Sequence, residues 1–363
     1  SLLTVNIGLT EAGRSHVNEI TDLLFQYFEM LRAQPPQDWL YQEQAKVAEL
    51  SFRFQEKGST AGFVYQMAPS LDLYPAEDLL VAPYLMEAFD PALIENFLGY
   101  LRPDNVLLEV TAPDSVTDQV EPWFEVPFTL NQAPLPRQAV SNATLRLPDV
   151  NPYLPEKLEL VAADELIMRR MIDQPELELW LDTDVEFGTP RANMTVGFLT
   201  PNGLLGAADR AQAWLYQRLV NDALSATIYP AYLAGLGYSI DVADSGFAIS
   251  VSGYQDKQMA LLDTVAQKLL NAEISTDRFI TIKASLIKDW RNSRKDKPYE
   301  QALGALNDTL LSASWSADTL ADALEPITVE GLLQWRFDQF QDVGVIAALH
   351  GNVTASEAEQ LHR

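Results

Sequence analysis

Hydrolytic chemistry in proteins runs on converging imidazoles, carboxylates and activated nucleophiles, and these are thinly spread along this sequence. It has three histidines, His16, His350 and His362. Metal-assisted hydrolysis needs two or three imidazole or carboxylate ligands on one ion, plus a base. The closest spacing is His16-Val17-Asn18-Glu19, and Ile20 stands where a second histidine would complete a metal-binding helix face. His16 and Glu19 therefore read as a solvated helix pair. His350 closes an expected strand before Gly351 and reads as a packed or edge residue, and His362 lies too near the end of the chain to support any reading. Asp182, Asp184 and Glu186 gather carboxylates as a hard-cation site would. No glycine-punctuated calcium loop surrounds them, so a solvated strand end is expected.

Other chemistries are poorly provided for. A Gly-x-Ser-x-Gly elbow and a phosphate-binding loop are both missing. The absence of cysteine removes disulfides, thiolate catalysis and cysteine metal sites together. Gly235-Leu236-Gly237 reads as a helix stop. Arg291, Arg294, Lys295 and Lys297 form a basic cluster, read as cations at a helix C-terminus. Asn142, Asn193, Asn307 and Asn352 open glycosylation-like triplets that are read as chance. No catalytic, cofactor-binding or metal-ligating residue is assigned.

The charge balance narrows the partners. Against 25 basic residues stand 51 acidic ones, a net −26, so a nucleic acid would be repelled and no basic stripe compensates. The excess reads first as a solubility surface, and second as an acidic face that attracts cationic peptides or a basic partner domain. No apolar run approaches the roughly 18 residues of a membrane-spanning helix. Hydrophobic residues make up 47%, enough to build packed cores.

These side chains must be positioned by elements that the periodicity supplies. Residues 2–9 read as a strand, and 11–32 follow Thr10 as an amphipathic helix. A second helix runs to about Phe54, shorter helical pieces run to residue 101, and 105–111 read as a strand. From 113 to 176 prolines recur and periodicity fades, which predicts an extended linker. Strands are expected at 177–182 and 194–199, then a long helix over 204–233 adjusted at Pro230. Asp244-Ser245-Gly246 marks a hairpin between 238–242 and 247–254.

An internal repeat organises the whole. Residues 3–112 run strand, helix, helix, short helices, helix, strand, and 249–353 run in the same order, with Val5 answering Val251. Three regions are expected: a first domain over 1–112, a linker over 113–176 and a second domain over 177–363. The second copy has a leader at 177–248 that the first lacks. A strand pair alone is marginal in water, so the first domain is expected to continue about 70 residues upstream. With Ser1 opening on a strand and Arg363 falling in a helix, both ends are expected to be internal to a longer protein.

Strings in this order resemble the insulinase/pitrilysin family of zinc metallopeptidases. They are Leu9-Thr10-Glu11-Ala12-Gly13, Phe25-Gln26-Tyr27, Leu31-Arg32-Ala33, Pro36-Gln37-Asp38-Trp39, Phe52-Arg53-Phe54 and Leu101-Arg102-Pro103-Asp104-Asn105-Val106, then Asn151-Pro152-Tyr153-Leu154-Pro155 and Pro190-Arg191-Ala192-Asn193. Tyr232-Leu233-Ala234-Gly235-Leu236-Gly237-Tyr238, Val251-Ser252-Gly253-Tyr254-Gln255-Asp256-Lys257-Gln258 and Leu349-His350-Gly351-Asn352-Val353-Thr354 complete the set. The resemblance implies an α+β fold of two homologous α/β-roll domains, each a mostly antiparallel sheet packed on helices, the first truncated at its N-terminus. It implies the later part of a second domain, the inter-half linker and most of a third, within a four-domain enzyme that encloses a chamber. Zinc is then expected in an absent first domain, with none bound by this chain. Peptide substrates, and packing against missing first and fourth domains, are the implied partners, and the periplasm is the implied compartment. The function so implied is a non-catalytic chamber wall that contributes to substrate selection in a peptide-degrading metalloendopeptidase. The alternative is the scaffold of a family member that has lost its zinc motif.

Overall fold

The computed structural model describes residues 2–55, 58–135, 145–161, 168–184 and 186–362. The chain divides into two compact units, Ser1–Phe52 with Lys57–Val150, and Arg53–Glu56 with Asn151–Arg363.

The first unit is built on helices α1 (Glu11–Arg14), α2 (Val17–Arg32), α3 (Asp38–Arg53), α4 (Thr60–Ser70) and α5 (Pro91–Tyr100). The Thr10 hydroxyl accepts from Gly13 N and starts α1 as its sequence predicts. The single helix expected over 11–32 is interrupted at Ser15-His16, and His16 stands at the N-cap of α2. Phe25 and Leu50 are buried in this unit, with the Phe25 and Phe28 rings edge to face at 5.8 Å. Asp90 caps α5 and Pro91 takes its first turn. At the other end of α5, Arg32 Nη1 donates to Leu101 O and to Leu98 O, the latter already holding the Leu101 N–H.

The sheet expected here is corrected. Residues 2–9 and 105–111 enter no ladder among the described residues, and Val5, Ile7, Val106 and Val110 are exposed. A strand needs a neighbour for its N–H and C=O groups, and neither run finds one. Among the described residues, the strands of this unit are the short pair β1 (Gln119–Val120) and β2 (Pro127–Phe128).

The second unit is a mixed six-stranded sheet with helices on one face. Its strands are β3 (Arg169–Gln174), β4 (Leu177–Thr183), β5 (Arg191–Leu199), β6 (Gly237–Ala243), β7 (Gly246–Tyr254) and β8 (Gly344–Gly351), in the order β3-β4-β8-β5-β7-β6. The β4–β8 pair is parallel and the others are antiparallel. The β6–β7 hairpin turns through Asp244 and Ser245, as the sequence predicts. β3 lies inside the stretch expected to be linker. So do residues 151–161, which dock on this unit: Asn151 donates to Pro230 O, and Tyr153 is buried. Residues 136–144 and 162–167 of that linker lie outside the described residues.

Period-2 patterning turns Leu179, Leu181, Met194, Val196, Ile249, Val251, Ala347 and Leu349 to one buried face. The helices are α6 (Ala207–Leu233), α7 (Gln258–Asn271), α8 (Thr276–Asn292), α9 (Pro298–Leu310), α10 (Ala317–Leu324), α11 (Val329–Phe340) and α12 (Ala355–Ala358). α6 and α7 pack on the sheet, and α10 packs on α6 and α8. Tyr216 of α6, Phe247 of β7 and Trp335 and Phe340 of α11 form an aromatic cluster with ring centroids 5.5–6.5 Å apart. α6 keeps Pro230 in its last turn and stops at Gly235, whose φ of +78° is the left-handed cap that glycine favours.

Candidate functional site

The opposite face of this sheet is open. His350, Asn193 and Ser252 lie side by side on it, because β8 and β5 pair His350 with Asn193, and β5 and β7 pair Asn193 with Ser252. Asp182 continues the row through its register with His350, and His350 Nδ1 lies 2.9 Å from Asp182 Oδ2. Thr195 and Ser250 form the next rung, their hydroxyls 3.0 Å apart.

At the strand ends the row opens into a cavity of about 480 Å³, lined also by Asp184, Phe187, Arg191 and Gly351. That volume falls in the roughly 300–1,000 Å³ range of small-ligand sites. The wall is cross-tied. Asp184 N donates to Gly351 O, Asn352 N to Arg191 O and Gln255 N to Pro190 O. Beneath it the fully buried Gln258 donates to Ala192 O and Gly253 O. Asn352 holds Glu159 O and Val161 N with its carboxamide, bringing the 151–161 segment to the same end.

His350 is corrected: it is neither packed nor at an edge. It sits on a central strand with its side chain half exposed and a carboxylate partner. Sequence reasoning missed the Asp182–His350 pair because the two residues are 168 positions apart. A parallel pairing of the two expected strands was the signal that places them opposite. The three-carboxylate group does not converge: Asp182 turns to His350, while Asp184 Oδ1 accepts from the backbone N–H of Glu186. His16 and Glu19 form the exposed helix pair read from the sequence, at 3.0 Å. The side chain of His362 lies outside the described residues. No group of three or more such ligands that could hold a metal ion occurs among the described residues. Among them, too, no helix is long and apolar enough to cross a membrane.

The basic cluster is more than helix-end cations. Arg291 pairs with Asp318 and Glu325 at 3.2 Å and with Asp322, and Arg294 pairs with Asp318 at 2.7 Å, joining the end of α8 to α10. The hydrogen bonds that Arg291 donates to Asp322 and then to Glu325 raise its pKa, and the Arg294 guanidinium holds the Asp318 carboxyl below its usual range. Lys295 Nζ donates to Asn292 Oδ1. Of the glycosylation-like triplets, Asn142 lies outside the described residues and Asn352 is buried with its carboxamide engaged.

The second unit is thus an open-faced sheet backed by helices, with a polar row across its open face. The family model described as the middle or third domain of peptidase M16 matches residues 52–323. The chain belongs to this peptidase family, that of insulinase and pitrilysin, and carries its middle or third domain. Human insulin-degrading enzyme is 31% identical over 366 residues, which cover 98% of this chain and 36% of that protein. The A-factor-processing enzyme of Saccharomyces cerevisiae is 28% identical, over 99% of this chain and 36% of its own length. The crystal structure of pitrilysin shares the fold with a TM-score of 0.73 at 19% identity, over 97% of this chain and 38% of that one. The chain thus spans little more than a third of the relatives it matches.

Proposed function

We propose that this chain is the non-catalytic middle region of a zinc-dependent metalloendopeptidase, where it forms part of the wall of a peptide-degrading chamber and helps select substrates. The observation that carries the reading is the match to the middle or third domain over residues 52–323, in a sequence whose nearest approach to His-x-x-Glu-His ends at Ile20. Its work on substrate is steric and polar. The open sheet face offers hydroxyls, carboxamides and an imidazole, and supplies no nucleophile or base aligned on a reacting atom. The zinc and its ligands belong, on this reading, to another part of the peptidase, as do the domains that pack against this one. The same resemblance favours the periplasm.

Bulk placed on the open face tests the proposal. In the peptidase that carries this chain, Thr195→Trp with Ala348→Trp narrows the space above the sheet. The ratio of kcat/KM for long over short peptides is expected to fall on the order of tenfold, about 1.4 kcal/mol, with zinc content unchanged. Unchanged peptide preference with loss of zinc would contradict it.

A further inference from the structure

Three side chains of the cavity carry hydrogen-bonding capacity that the protein does not use. The Asn193 carboxamide, the Ser252 hydroxyl and Nε2 of His350 have no protein partner among the described residues. They stand on β8, β5 and β7 in one cross-strand row, about 4.8 Å from strand to strand. The charged groups around them are committed elsewhere. Asp182 holds His350 Nδ1, Asp184 holds the N–H groups of Glu186 and Phe187, and the Arg191 guanidinium lies 5.4 Å over the Tyr254 ring. What remains on offer is an imidazole nitrogen, a hydroxyl and a carboxamide.

The imidazole is also oriented. A carboxylate on Nδ1 keeps the proton of the neutral ring there, which leaves Nε2 as an acceptor. In that form Nε2 accepts an N–H, while the Ser252 hydroxyl donates to a C=O and the Asn193 carboxamide does both. That set complements main-chain amides and reads no particular side chain. The Phe187 ring, 69% exposed, supplies an apolar wall beside it.

We infer that this cavity is a peptide subsite in which Asn193, Ser252 and His350 hold a stretch of unfolded polypeptide by its backbone amides, tolerant of sequence. The inference rests on the peptidase reading above and names a place on the chain where substrate is gripped away from the bond to be cut.

The test is a nuclear magnetic resonance titration of the full chain with a capped, uncharged Gly-Ser-Ala peptide. The expected result is perturbation of the Asn193 carboxamide and His350 imidazole signals. Asn193→Ala with Ser252→Ala is expected to weaken binding at least about fivefold while the other amide signals keep their positions. No binding at millimolar peptide, shifts confined to other surfaces, equal binding by the double variant, or binding of a neutral oligosaccharide in place of the peptide would each overturn it. Zinc content and peptide hydrolysis of the peptidase carrying the chain keep the two readings apart. An active zinc enzyme with no peptide bound here removes the subsite alone, whereas peptide bound here in a protein without zinc hydrolysis removes the wider reading alone.

Discussion

Gly351 closes β8 at φ +120°, and a Cβ there would meet Arg191 O at 2.5 Å. The strand end can carry no side chain without moving the wall of the cavity. Gly351→Ala should therefore cost roughly 1–3 kcal/mol in urea unfolding, the range for a residue forced into such a conformation. Gly304 is the counter-case. It lies inside α9 with nothing near its missing Cβ, and Gly304→Ala should stabilise by about 0.5–1 kcal/mol. Tyr216 tests a buried hydrogen bond. Its hydroxyl donates to Leu269 O, and burial raises its pKa, so the phenol stays protonated through the neutral range. Tyr216→Phe should cost about 1 kcal/mol by the same measurement. Legibility at this scale was uneven. The helix stop at Gly235 could be read from a glycine after an apolar helix. The partner of His350 could not, because it depends on which distant strand lies alongside.

The link between α8 and α10 is electrostatic and should respond to pH. Asp318 has its folded-state pKa lowered, chiefly by the hydrogen bond from Arg294. The stabilisation it gives is therefore fully present above the ordinary carboxylate pKa of about 3.9, and is lost as pH falls through the lowered folded value. Amide protection in α10 should drop below about pH 4 before that of α7 does, and Asp318→Asn should loosen α10 already at neutral pH. Hydrogen exchange corrected for intrinsic rates measures both. The sequence shows the cations and the helix that ends among them, yet not the acidic helix facing them. Elements of the second unit were legible wherever an apolar face repeats at period 2 or 3.6, as in 177–182 and 204–233. β3 escaped because Arg169-Arg170 and Asp173-Gln174 make it polar at both ends and a proline-rich stretch precedes it. The alternating runs at 3–9 and 105–111 show the limit of pattern: they have the period of strands, and no ladder forms on them.

At the scale of the molecule, the α+β class and the family were both legible, because the strings that carry the resemblance fall throughout the chain. Four of them, at 190–193, 232–238, 251–258 and 349–354, meet around one cavity at the end of the sheet. Some of that recurrence is structural, since the strand ends approach too closely for anything but glycine. The central claim is that this chain shapes and grips while metal chemistry lies elsewhere. The most direct measurement is the zinc content of the purified chain after equilibration with zinc and removal of the excess. A structural or catalytic site would hold its ion by about 10 kcal/mol or more and survive that treatment, so the account expects well under one zinc per chain. One zinc per chain, held by its own side chains, would contradict it.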